Sequence, residues 1–222
     1  MYIKVFTKIF MAILTSVFLT ACHAKQEKQT DTTIDVIERI TYPTYIFDGV
    51  SLKGWEIPNF PLPGEVYVKN GEIWLEMGDG CTGITWLGDP PGMDYRISLD
   101  VKRVKGYDFF CGLTFPFDDE FCTLVPGGWA GAITGISCID GRDASENETT
   151  CRIYFEDNRW YHIEVAVSGG KIMVMIDDQV VIDFTKGNHR LSVRPEVGLN
   201  IPLGIASWRT TAALKNIRII RD

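Results

Sequence analysis

Several signatures are missing from this 222-residue chain. It has no C-x-x-C pair, no H-E-x-x-H and no D-x-D-x-D-G loop, which excludes the usual sequence forms of a dithiol centre, a zinc-protease helix and an EF-hand. Helix-period apolar patterns are scarce. No internal repeat or low-complexity break divides the chain. The longest leading apolar run, Ile9 to Ala21, falls short of the ~20 residues that cross a bilayer comfortably. Basic charge is also short, with 22 Lys and Arg against 29 Asp and Glu. An acidic chain is a poor partner for nucleic acid or anionic lipid.

What is present begins with a leader. Lys4 and Lys8 precede the apolar run, which ends at Cys22, the layout of an export signal over residues 1–21. Leu19-Thr20-Ala21-Cys22 resembles the lipobox of bacterial lipoproteins. That resemblance implies cleavage before Cys22, lipid on its thiol and amine, and attachment to the bacterial cell envelope, in the periplasm or at the outer membrane. Losing residues 1–21 removes two of the 22 basic residues and none of the 29 acidic ones, which leaves a formal charge of −9. Residues 22–40 are rich in Lys, Gln, Glu, Thr and Asp and read as a flexible tether. Residues 41–222 suit one domain.

Strand signals fill that domain. VYVKNGEIWLEM places two alternating runs around Asn70-Gly71, a hairpin. Tyr95, Ile97, Leu99 and Val101 alternate with Arg96, Ser98, Asp100 and Lys102, as in a sheet packed on one side. FFCGLTF and AITGISC carry side chains of mixed size on both faces. WYHIEVAVSGGKIMVMIDDQVVIDF is broken by Gly169-Gly170 and Asp177-Asp178, so it reads as three antiparallel strands. The expectation is an all-β fold, a two-sheet antiparallel jelly-roll sandwich whose core includes Phe47, Trp55, Ile163, Val165, Ile172, Val174 and Ile176.

Between Phe117 and Thr150 the rhythm gives way to glycine, acids and small polar residues. Gly127-Gly128-Trp129 is followed by Asp140, Arg142, Asp143, Glu146, Asn147 and Glu148. An aromatic plate beside acids and a guanidinium suits a sugar site, and a solvated acidic loop has the same composition. In the sugar-site reading, Glu146 is the first candidate general base, followed by Asp143 and Asp140. Arg142 is placed on a substrate oxygen and Asn147 on a hydroxyl, with Trp129 as the stacking surface. Trp208 and Arg209 form a second binding pair. His162 alternates with Trp160 and Glu164 and is a proton carrier, a metal ligand or a satisfied sheet histidine. Asp118, Asp119, Glu120, Asp140 and Asp143 are hard oxygen donors suited to calcium, but no motif assigns a metal, and no cofactor is expected. Apart from Cys22 there are five cysteines: Cys81, Cys111, Cys122, Cys138 and Cys151. Cys111 with Cys122 and Cys138 with Cys151 are both possible local pairs, and buried free thiols are the alternative.

Phe47-Asp48-Gly49-Val50-Ser51-Leu52-Lys53-Gly54-Trp55 resembles the opening of the 3-keto-disaccharide hydrolase family. DYRISLDVKR, the meander RWYHIEVAVSGGKIMVMIDDQVVIDF and LKNIRI follow in that family's order, from Phe47 to Ile219. The resemblance implies a concanavalin A-like sandwich that receives a carbohydrate. Where many members have Asn-Ser-Gly-Ile this chain has Phe110-Cys111-Gly112-Leu113, and Ser207 and Arg209 stand at the family's Gln and His, so the chain resembles a divergent branch. The implied activity is cleavage of a 3-keto-disaccharide or related glycoside by removal of the C2 proton and elimination. A non-catalytic carbohydrate-binding lipoprotein on the same fold is the alternative.

Overall fold

The computed structural model describes residues 43–221, so the leader, Cys22 and the tether lie outside the described residues. Fifteen strands follow in order. The first five are β1 (Thr44–Tyr45), β2 (Trp55–Glu56), β3 (Val66–Lys69), β4 (Glu72–Leu75) and β5 (Cys81–Trp86). Then come β6 (Tyr95–Gly106), β7 (Gly112–Phe117), β8 (Glu120–Gly127), β9 (Ile133–Ser137) and β10 (Cys151–Arg152). The last are β11 (Tyr161–Ser168), β12 (Lys171–Ile176), β13 (Gln179–Thr185), β14 (Gly204–Trp208) and β15 (Thr210–Arg221).

They form two antiparallel sheets. The eight-stranded sheet runs β13-β12-β11-β6-β15-β4-β3, with β1 also paired to β15. The seven-stranded sheet runs β10-β9-β8-β7-β14-β5-β2. The fold is therefore the expected all-β jelly-roll sandwich. Its tight hairpins come from the residues read as turns: Asn70-Gly71, Gly169-Gly170 and Asp177-Asp178 all have positive φ at both positions. That is the backbone of a type I′ turn, whose twist matches its flanking strands.

Between the sheets lies one large core. Tyr95, Ile97, Leu99 and Val101 of β6 and Ile163, Val165 and Val167 of β11 meet Ile84, Leu113, Phe115, Leu124, Ile136 and Ile205 from the other sheet. All seven expected core residues are buried. The Trp55 indole donates to the Ile46 carbonyl at 2.7 Å, which gives its one polar atom a partner inside. Among the described residues all five cysteines are free thiols, so neither considered pair forms. Four of them are buried, and burial pushes the Cys111 thiol up to about 12.

The outer faces of the two sheets differ. On the eight-stranded sheet, Lys102 lies over Trp74 and Trp160 at 5.5 and 4.4 Å, and Lys215 lies over Trp160 at 4.0 Å. Tyr67 stacks on Trp74 with the planes 2° apart. His162 belongs to this face, where its Nδ1 is 2.7 Å from Asp100. On the seven-stranded sheet the corresponding positions are small. One row across it reads Thr85, Gly204, Thr114, Thr123 and Ser137, and a second contains Gly83, Ala206 and Gly112. Small side chains leave room for other parts of the chain to lie on the sheet.

Candidate functional site

Two segments occupy that room. The first, residues 138–150, rests on β9: a Cβ added at Gly135 would come within 3.0 Å of Ala144, so the loop touches the strand backbone there. Beyond the short β10, side chains of this loop replace a neighbouring strand. Thr149 Oγ1 accepts the Ile136 N–H at 2.9 Å, and Asn147 Nδ2 donates to the Ile136 carbonyl at 2.8 Å. Asn147 also donates to the Asp143 carbonyl at 2.8 Å and accepts the Thr149 hydroxyl at 2.6 Å. It is buried, and its amide is committed to holding the loop.

The second segment is 186–200, which ends in a short 3-10 turn, Pro195–Asn200. Backbone bonds join Cys138 with Ser192 in both directions and Asp140 with Arg190. His189 Nδ1 lies 2.7 Å from Asp140 Oδ2. The Arg190 amide, and then His189, hold the Asp140 carboxyl below the usual carboxylate range. Arg194 reaches Asp143 through Nη1 and grips Glu196 with two bonds, Nη2 to Oε1 at 2.8 Å and Nε to Oε2 at 3.2 Å. The bonds to Glu196, ahead of the nearby Asp143 charge, push the Arg194 pKa upward, while Arg194 holds Glu196 below its ordinary value.

Between these segments and the end of β14 opens a cavity of about 240 Å³, lined by Asp108, Phe109, Thr123, Val125, Trp129, Ser137, Arg194, Glu196, Val197 and Trp208. Trp129 stands on its rim at 39 % exposure, in a left-handed turn where Gly127, Trp129, Ala130 and Gly131 all have positive φ. A bulky residue in this region is strained, and such strain persists only where neighbours hold it. Asp108 supplies the hold: Oδ2 accepts the Ala130 N–H at 3.1 Å while Oδ1 accepts the Phe109 N–H at 2.8 Å. One carboxylate thereby ties two aromatic walls together.

The structure brings some of the expected residues together and leaves others apart. Trp129 and Trp208 line the cavity, and Asp143 stands behind it through Arg194. Arg209 lies over the Trp208 ring at 5.6 Å and donates to the Asp79 carbonyl at 2.9 Å. Glu146, Arg142 and Asp140 are exposed and do not line it. Asp108, Arg194 and Glu196 escaped the sequence reading. Asp108 sits inside the aromatic run YDFF and the other two flank Pro195, contexts that carry no periodic or motif signal. Among the described residues no three His, Cys, Asp or Glu side chains are grouped as a metal site. Of the acids considered for calcium, Glu120 pairs with Lys186, Asp140 with His189 and Asp143 with Arg194.

Residues 43–220 match the model of the 3-keto-alpha-glucoside-1,2-lyase-like domain. The chain belongs to that carbohydrate-active family. Among solved structures it is similar to the Crh5 transglycosylase in complex with NAG, at 15% identity and a TM-score of 0.56, over 82% of this chain and 83% of that one. It is also similar to a protein of Parabacteroides distasonis ATCC 8503 catalogued as a glycosyl hydrolase, at 14% identity and a TM-score of 0.52, over 81% and 94% of the two chains. At these identities the likeness is one of fold. No curated protein sequence matches the chain.

Proposed function

We propose that the cavity on the seven-stranded sheet binds a glycoside and that the protein cleaves the 3-keto form of it by elimination across C1 and C2. The observation that carries this reading is the meeting of Trp129, Trp208 and Phe109 with Asp108 and Arg194 around one cavity, in a chain of this family. A sugar ring stacks on the indoles through its C–H face. In a 3-keto sugar the carbonyl acidifies the C2 proton, and the C1 substituent is beta to that carbonyl. Among the described residues Asp108 is the lining carboxylate that is not in an ion pair with Arg194, and it keeps lone pairs beyond its two backbone bonds, so it is the proposed base in place of exposed Glu146. The C2 proton passes to Asp108 and the C–H electron pair moves into the enolate. Collapse of the enolate makes the C1–C2 double bond and breaks C1–O, and the leaving oxygen takes a proton from water. Arg194 donates three of its five N–H groups to Asp143 and Glu196, which leaves two for the developing enolate oxygen. The Asp108 proton then goes to the hydroxide left behind, which regenerates the base, and addition of water across the double bond completes a net hydrolysis.

A second reading is binding without turnover. It is favoured by the same ion pairs, because Asp143 and Glu196 are both engaged by Arg194. Heavy water separates the two: cleavage by elimination puts deuterium at C2 of the released 3-keto sugar, and the plain glycoside does not react. Asp108→Asn should lower turnover on the order of 10²-fold with an unchanged circular dichroism spectrum. Unchanged turnover in this variant would remove Asp108 as the base, and binding of both sugars with turnover of neither would leave the binding protein. The proposed setting is the cell envelope, with lipid on Cys22. Cys22→Ser should yield an unprocessed or soluble precursor, and its retention on membranes through a high-salt wash would contradict lipid anchoring.

A further inference from the structure

The charges around the cavity bear on which sugars it accepts, an inference that rests on the glycoside reading above. An arginine in a sugar pocket is ordinarily a receptor for a carboxylate, which its planar fork grips with two parallel bonds. Arg194 lines this cavity, but its Nε/Nη2 edge already holds Glu196 and an Nη1 proton goes to Asp143. Asp108 adds another negative group to the lining. Arg209, exposed and lying on the lining residue Trp208, is a further cation nearby. Asp108, Asp143 and Glu196 thus outnumber Arg194 and Arg209, and the local balance is negative. A carboxylate entering here would meet a fork already filled and two like charges on the lining, Asp108 and Glu196, and like-charge juxtaposition disfavours binding. Hydroxyl and ketone oxygens need only the two N–H groups that remain on Arg194.

We propose that Glu196 is a specificity-determining residue that reserves the cavity for uncharged glycosides and rejects uronic acids. The test is titration of the full-length chain with methyl α-glucoside and methyl α-glucuronide at low and at high salt. The glucuronide should bind at least about tenfold more weakly at low salt, and the gap should narrow as salt screens the charges. Glu196→Gln keeps the side-chain shape, releases the Arg194 fork and should bring the two affinities within about threefold. Asp143→Asn, which leaves Glu196 in place, should move the ratio in the same direction by a smaller factor. Glucuronide binding equal to or tighter than glucoside binding in the unaltered protein would overturn the proposal. So would an unchanged ratio in Glu196→Gln that remains folded by thermal melting, whatever Asp143→Asn does. If neither sugar binds the unaltered protein, the glycoside reading itself falls.

Discussion

The two sheets share a core yet finish their outer faces in opposite ways. The eight-stranded sheet covers itself with long side chains, the Tyr67, Trp74, Lys102, Trp160 and Lys215 ladder and the pair of His162 with Asp100. The seven-stranded sheet presents glycine, alanine, serine and threonine and lets residues 138–150 and 186–200 lie on it, with a cavity between them. The first face is saturated by side-chain contacts between neighbouring strands. The second is assembled from loops laid over the strands, as the Arg194–Asp143 pair shows by joining residues 138–150 to residues 186–200. Surface that covers itself needs no visitor, and surface built from loops over small residues can enclose one.

This division predicts separable effects. The largest is in the shared core: Leu99→Ala on β6, fully buried, should cost about 2–5 kcal/mol of stability in a denaturant titration, with sugar affinity unchanged in the folded fraction. Loss of affinity at full folding would tie the two faces together and blur the contrast. Next is the loop. Asn147→Ala leaves the buried Ile136 carbonyl without its side-chain donor and should cost about 1–3 kcal/mol. Hydrogen exchange should speed up in residues 138–150 and stay unchanged in β11 to β13, whereas uniform speeding would show that the loop is not a separate unit.

The smallest effect is electrostatic. Arg194 depresses the Glu196 pKa, so the stabilisation is present above the ordinary carboxyl value and is lost as pH falls through the folded value. The pair is partly exposed and therefore screened, which limits it to at most about 1 kcal/mol, or about 2–4 °C in Tm. Glu196→Gln should melt earlier than the unaltered protein at pH 7, and the two curves should converge as pH falls through the folded value of Glu196. A difference that grows on acidification would reverse the assigned sign.

The same contrast explains how much was legible beforehand. Regular alternation and paired turn residues such as Asn70-Gly71 and Gly169-Gly170 disclose the eight-stranded sheet, because side-chain period and turn backbone are local properties. Trp129 and Trp208 were legible as aromatics beside glycine or arginine. Strand β9 was legible in AITGISC, whereas β8, within the stretch that broke the rhythm, shows no regular polar alternation to mark it. Asn147 has the composition of a ligand-binding residue and serves the backbone of β9 instead. Asp108, Arg194 and Glu196 come from separate connections, and only strand pairing and loop packing bring them to one cavity.

The claim that the glycoside site lies on the seven-stranded sheet is tested most directly by following the tryptophan indole N–H resonances of the 15N-labelled protein during titration with methyl α-glucoside, assigned through single Trp→Phe variants. Trp129 and Trp208 should shift together along one binding curve while Trp74 and Trp160 stay fixed. Shifts confined to Trp74 and Trp160 would place the ligand on the opposite sheet and contradict the account.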